Sequence, residues 1–493
     1  MTNVDKCVVS NNCRCASAPC QLAARWASLL LITLFMKLSI SLRGHNFSFK
    51  GLHDVMAKAN EVKAGDRLAG LAAETALERM AARSLLADIT VGAFLDEPAV
   101  PAERDDVTRI ILDDLDPAVR DETANWSLGE LREKILAADG REIARLGRGL
   151  TSEAIAGVAR LMSNMDLVSA ASRVMVRATC RTTIGAPGTL SSRLQPNHPT
   201  DDLPGILASI REGLAYGVGD AVVGLNPADD TIGAVRRCMD GMSEYVHDTL
   251  GVPTQVCVLA HVTTQMQAIA KGARCDLVFQ SIAGTQAACR SFGITPEMLS
   301  NADEVVRAGR TDLGPNVLYF ETGQGSELSS NCHEGIDQLT LESRCYGLAR
   351  HYHPFLVNTV VGFIGPEYLY DGRQVIRAGL EDHFMGKLHG LPMGVDVCHT
   401  NHMDADQNDL ENLAVLLTAA GCTYFMGIPM GDDIMLNYQT TSFHDVATLR
   451  EVFHRRPIDA FERWMEKEGI LLDGRLTDAA GDPTWFDARR RAA

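Results

Sequence analysis

From about residue 180 onward, short β-branched or aromatic runs alternate with amphipathic stretches eight times, and that alternation limits the chain to few architectures. The runs are Thr182–Gly188, Ala221–Pro227, Thr254–Val262, Asp276–Ser281, Asn316–Glu321, Phe355–Gly362, Gly394–Cys398 and Cys422–Ile428. The spacers repeat apolar residues at helical period: Ile206, Ile210 and Leu214 follow the first run, Val235, Met239, Met242 and Val246 the second, and Leu410, Leu413 and Leu417 the seventh. Each spacer can lay one apolar face on a sheet. Successive parallel strands joined by helical crossovers are satisfied most simply by closure into a (β/α)8 TIM barrel, the α/β fold expected here. A doubly wound parallel sheet is the alternative that the same alternation allows.

A barrel needs about 250 residues, so a chain of 493 has material left at both ends. The division expected is an upstream extension over residues 1–35, a helical region over 36–175, the barrel over 176–455 and a C-terminal segment over 456–493. Within the helical region Leu52, Val55, Met56 and Ala59 share one face, and Thr151 stands as an N-cap ahead of Ile155, Val158 and Leu161. The apolar stretch Ala27–Phe35 is about half of what a spanning helix requires, and Lys37 closes it. No small-residue cleavage site follows, so translation is expected to start at Met36.

The net charge of −17 repels polyanions and excludes nucleic acid and anionic membrane surfaces as expected partners. Of thirteen cysteines, Cys7, Cys13, Cys15 and Cys20 crowd the start and the rest are scattered in contexts such as Val256-Cys257-Val258. That pattern is no disulfide framework and suits a reducing cytoplasm.

In a barrel of this kind chemistry gathers at the C-terminal strand ends. Those ends offer Arg193 and Gln195, then Asn226 and Pro227, Gln280, Glu321 and Asp396, with Asp433 and Met435 after the eighth run. One guanidinium, several neutral amides and the two carboxylates Glu321 and Asp396 make a set fitted to a small amino alcohol. Two desolvated carboxylates repel each other unless a cation lies between them. Any one of these residues alone reads more simply as a solvated or capping side chain, and it is their convergence that argues for a pocket. His261, beside an apolar strand, reads as structure. A metal-dependent hydrolase or lyase on the same barrel is a competing reading, with His399, His402, Asp404, Asp406, Glu381 and His383 as ligands. Asp406 equally fits the N-cap of a following helix.

The strings SRLQPN (192–197), GVGDAVVGLNP (217–227), LVFQSIAG (277–284), LYFETGQGS (318–326), NHMDADQN (401–408) and MGIPMGDDIMLNYQTTSFHD (426–445) resemble the ethanolamine ammonia-lyase large-subunit family. The resemblance runs from about Met36 to Pro483. It implies a carbon–nitrogen lyase that converts ethanolamine to acetaldehyde and ammonia by radical chemistry with adenosylcobalamin. It also implies a separate small subunit, a higher-order oligomer of large–small pairs, and a cytoplasmic setting that extends to protein-shelled bacterial microcompartments. By position, Arg193, Leu194, Gln195, Asn226, Glu321 and Asp396 match the family's substrate-binding set, with Glu321, Asp396 and Arg193 as the catalytic members. Pro227, Gln280, Ser329 and Met435 match positions that contact the cobalamin, and no resident metal site is implied. The sequence departs from the family pattern at His399 and Glu327, on the expected rim. Glu381-Asp382-His383-Phe384-Met385-Gly386 approaches a motif that supplies a histidine to cobalt but carries Glu in the Asp place, so the cofactor is expected to keep its own base. A non-catalytic assembly component is the reading from a different class; such a chain would have no use for both Glu321 and Asp396.

Overall fold

A computed structural model describes residues 38–308 and 310–486. The extension expected over residues 1–35 lies outside them. Eight parallel strands form the centre: β1 (Ser191–Leu194), β2 (Val222–Leu225), β3 (Val256–Val258), β4 (Val278–Ser281), β5 (Leu318–Thr322), β6 (Leu356–Val360), β7 (Met393–Asp396) and β8 (Tyr424–Gly427). They pair in the order β3-β2-β1-β8-β7-β6-β5-β4. Pairing β1 to β8 closes most of the circle, with Arg193 opposite Met426 on one side and Val222 on the other. The remaining seam, β3 to β4, is bridged by the Val256 amide donating to the Asp276 carboxylate at 3.0 Å and the Cys257 thiol donating to the Leu277 carbonyl. The architecture is the TIM-like barrel expected, and the doubly wound alternative is set aside.

Seven of the expected runs overlap a barrel strand, and the first does not. Thr183–Ile184 forms a short antiparallel pair with Ala178–Thr179 instead, and β1 begins at Ser191. Gly185 and Gly188, both at positive φ, turn the β-branched run away before it can extend. Ser191-Ser192-Arg193-Leu194 holds as a strand because its polar atoms are answered: the Ser192 amide and hydroxyl both donate to Asp220, which Arg450 also contacts at 2.8 Å.

The crossovers are α1 (Leu203–Ala215), α2 (Ile232–Ser243), α3 (Val262–Ala270), α4 (Pro296–Arg307), α5 (Gln338–Tyr352), α6 (Gly372–Leu388), α7 (Gln407–Ala419) and α8 (Phe443–Val452). Side-chain caps start most of them, including Asp202 on α1, Asp337 on α5 and the reciprocal Asp406/Asp409 box on α7. Leu410, Leu413 and Leu417 are fully buried, as their period requires.

Helices between residues 52 and 173 cover the α5–α6 flank and share one hydrophobic core with the barrel. Their attachment is also ionic. Arg344 on α5, fully buried, bonds Asp105 at 2.7 Å, Glu153 at 2.5 Å and the Gly284 carbonyl at 2.8 Å. Lys63 and Arg377 flank the buried Glu381 of α6 at 2.6 and 2.7 Å. Burying such charges is tolerable only because each is paired and hydrogen-bonded.

Candidate active site at the barrel mouth

Alternation along the strands decides which side chains enter the barrel. Tyr319 and Glu321 on β5, Asn358 on β6 and Arg193 on β1 are hydrogen-bonded to one another across the interior, and Asp396 on β7 is joined through Tyr438 to Gln195, which follows β1. Gly394 is small for the same reason: a Cβ there would lie 2.2 Å from the Tyr424 ring, which fills that layer from β8.

Arg193 is the hub. Its Nη1 donates to the Tyr319 hydroxyl at 2.7 Å and to Glu321 Oε1 at 2.6 Å, and its Nη2 donates to Asn226 Oδ1. Burial opposes its charge, but Tyr319, Glu321, Tyr438 and Asp396 around it hold the guanidinium protonated, above its ordinary range. Asn226 is placed by its own amide, which donates to Asn197 Oδ1 at 2.8 Å. Gln195 donates from Nε2 to Asp433 Oδ2 at 2.7 Å and to the Tyr438 hydroxyl at 3.0 Å. Tyr438 in turn donates to Asp396 Oδ2 at 3.0 Å, and Thr440 donates to Asp396 Oδ1.

The carboxylates outnumber the cations, and Glu321 and Asp396 have one guanidinium between them. Arg193 answers Glu321, while Asp396 receives only hydroxyl donors. Burial pushes the Asp396 carboxyl up to about 7, against the pull of Thr440 and Arg193. Burial likewise raises Tyr438 and Tyr319 well above the phenol range, so both stay neutral donors. Asn358 Oδ1 is buried without a partner among the described residues. The site therefore holds a surplus carboxylate and an idle acceptor, which together suit a small cation with N–H donors.

The rest of the expected set distributes as follows. Leu194 is fully buried and points outward to α1, where its Cδ1 would sit 2.5 Å from a Cβ on Gly213. Gln280 is buried at the end of β4, its Oε1 accepting the Val262 amide. Pro227 and Met435 are half-buried in loops after β2 and β8, and Ser329 is exposed after β5. An open cavity of about 350 Å³ reaches from Glu321 to Ser329, walled by Ile282, Phe292, Val360 and Phe363. Met430 and Ile434, in the loop after β8, expose 77% and 75% of their surface. Glu327 is buried, not on the rim: it accepts the Gly284 amide at 2.7 Å and the Cys345 thiol.

The metal-binding alternative loses its ligands to other duties. Glu381 is paired with Lys63 and Arg377, Asp406 caps α7, and His399 turns Nδ1 to the Thr400 carbonyl. Among the described residues no group of three or more His, Cys, Asp or Glu side chains is arranged to hold a metal. His383 is fully buried inside α6, away from the mouth, and His261 caps α3 by accepting the Thr263 amide. Tyr319, Asn358, Tyr438 and Thr440 escaped the sequence reading. Period two from Glu321 points to Tyr319, and the same register on the neighbouring strand places Asn358 opposite Glu321. Tyr438 and Thr440 arrive through the loop after β8, with no local signal.

A family model described as ethanolamine ammonia lyase large subunit matches residues 47–479. The chain is 53% identical over 453 residues to the ethanolamine ammonia-lyase large subunit of Escherichia coli K12, covering 92% of this chain and all of that protein. It is 52% identical over 453 residues to the protein of the same name from Salmonella typhimurium LT2, again across 92% of this chain.

Proposed function

The chain belongs to the ethanolamine ammonia-lyase large-subunit family, a lyase family, and from that premise we propose that it deaminates ethanolamine to acetaldehyde and ammonia with adenosylcobalamin. The observation that carries this reading is the surplus carboxylate: one guanidinium for Glu321 and Asp396, in a pocket where Arg193 is 1% and Asp396 3% exposed. A substrate ammonium completes the balance that the protein leaves open.

The residues present fit the cofactor. The apolar-walled cavity above Glu321 and the exposed Met430 and Ile434 give a broad surface for a large flat group. Pro227, Gln280, Ser329 and Met435 would hold it across the mouth. When bound, adenosylcobalamin supplies the radical that removes hydrogen from the hydroxyl-bearing carbon.

The chain's own part is to bind, orient and shield. Glu321, Asp396 and Gln195 take the ammonium, Gln195 through the Oε1 that its contacts to Asp433 and Tyr438 leave available. Arg193 and Asn226 face the hydroxyl, with Asn226 fixed by the Arg193 contact at Oδ1 and presenting Nδ2. Asp396, titrating near neutrality, can hold a proton at the departing nitrogen. The barrel wall keeps water and reactive side chains from the substrate carbons.

The relatives' names include "large subunit", and a small-subunit partner, with higher-order assembly of such pairs, belongs to the proposal. So does a cytoplasmic location with enclosure in a microcompartment shell. Among the described residues no helix is long and apolar enough to cross a membrane. The substrate assignment is tested by calorimetric titration of the large–small complex with ethanolamine and with 1-propanol, which keeps the hydroxyl and lacks the ammonium. Ethanolamine is expected to bind at least about a hundredfold more tightly, the weight of one buried ion pair; equal affinities would remove the ammonium from the account.

A further inference from the structure

Lys387 stands in the last turn of α6 with its side chain folded inward, 3% exposed. A lysine buried to that degree is almost always paired. The other deeply buried cations obey the rule: Lys63 has Glu381, Arg160 has Asp337, Arg193 has Glu321 and Arg344 has Asp105 and Glu153. The Lys387 ammonium makes no hydrogen bond and no ion pair with any described residue, and the titratable neighbour acting on it is Cys422.

It lines a cleft of about 90 Å³ at the N-terminal end of the barrel, opposite the mouth. The walls are Ser172, Val174, Met175 and Val176, the Gly185–Leu190 loop that enters β1, and Thr418 with the Gly421–Thr423 segment that enters β8. No Asp or Glu lines this cleft, and a second cation, Arg455, does. Arg455 is half-buried, and its guanidinium has no partner among the described residues.

No other group supplies the missing charge. Cys422 donates its thiol to backbone carbonyls, and burial pushes it up to about 12, so it is no thiolate. His383, one turn earlier on α6, is held neutral by burial and by Lys387 itself. Two uncompensated cations converge on a recess the size of a small polyatomic ion, an arrangement that favours an anion between them.

We infer that this cleft is an anion site in which Lys387 and Arg455 together bind one small oxyanion, a carboxylate or a phosphate. Such an ion ties the end of α6 and the segment after α8 to the loops entering β1 and β8. It therefore braces from below the strand that carries Arg193.

The test is isothermal titration of the intact large–small complex, in chloride-free buffer at pH 7, with inorganic phosphate, acetate and sulfate. Wild type is expected to bind one equivalent per large subunit. Lys387→Met, which keeps the shape and loses the charge, and Arg455→Gln, at a more exposed position, should each weaken binding at least about tenfold. Turnover of ethanolamine should be unchanged by either substitution in the absence of the ion. Preference for acetate identifies a carboxylate ligand and preference for phosphate a phosphate. Sulfate keeps its charge between about pH 6 and pH 9, so its binding should weaken as pH rises through about 8, where Lys387 loses its proton. That dependence should persist in Arg455→Gln and vanish in Lys387→Met. Absence of saturable binding by all three ions, or equal binding by wild type and Lys387→Met, overturns the inference.

Discussion

Replacing Asp396 with Asn separates what this carboxylate does for the substrate from what it costs the fold. The change is nearly isosteric, and the amide oxygen can still accept from Tyr438 or Thr440, whose hydroxyls bind the carboxylate now. Removing the charge that faces a buried ammonium costs about 2–5 kcal/mol. That corresponds to a loss in kcat/KM of roughly thirtyfold to several thousandfold. Stability should move the other way. The folded carboxyl titrates at about 7 against an ordinary value of 3.8, so the folded state holds the extra proton between those values. This group's contribution to stability is complete below 3.8 and is lost as pH rises to about 7, a difference of about 4 kcal/mol. Two weakened hydrogen bonds return about 1 kcal/mol each to the wild type. Asp396→Asn should therefore be the more stable protein at pH 8 by roughly 2 kcal/mol and lose that advantage on acidification to pH 4. Scanning calorimetry at both pH values, beside steady-state kinetics, reads the two effects. A variant with wild-type kcat/KM, or one whose relative stability falls as pH rises, would refute the reasoning.

Ethanolamine affinity should rise with pH through about 7, because Asp396 must release its proton to pair with the ammonium. Titration in buffers of different ionisation enthalpy should show that proton leaving in wild type and not in Asp396→Asn. Arg344→Met leaves Asp105 and Glu153 buried without their cation; a loss of about 3–5 kcal/mol is expected by calorimetry. Gly147→Ala places a Cβ 1.9 Å from the Leu388 carbonyl oxygen, where a helix of the N-terminal flank meets the end of α6. A destabilisation of about 1–3 kcal/mol should follow, with kcat for ethanolamine unchanged.

The barrel was legible because its signal is periodic: apolar runs of strand length, separated by helical faces, repeat wherever helices must cover a parallel sheet. The first strand failed that test for a physical reason. Residues 191–194 are polar because their outward serine and inward arginine are satisfied by Asp220, Arg450 and Glu321, partners far away in sequence. The β-branched Thr182–Ile184 run drew attention in its place. Arg193, Glu321 and Asp396 could be read from strand ends, since alternation and position fix them locally. Tyr438 and Thr440 could not, because the loop after β8 brings them to Asp396 from more than forty residues away. Glu327 misled for the opposite reason: as a departure from the family pattern it reads as rim, yet the Gly284 amide and the Cys345 thiol give it partners inside.

The most direct test of the central claim is turnover. Residues 36–493 co-expressed with the small subunit of the same source, given adenosylcobalamin and ethanolamine in dim light, should produce acetaldehyde, read as NADH oxidation by a coupled alcohol dehydrogenase. Product that requires the cofactor, and whose kcat/KM falls at least about thirtyfold in Glu321→Gln and in Asp396→Asn, is the expected result. An assembled complex that binds cobalamin and ethanolamine and yet makes no acetaldehyde would contradict the account.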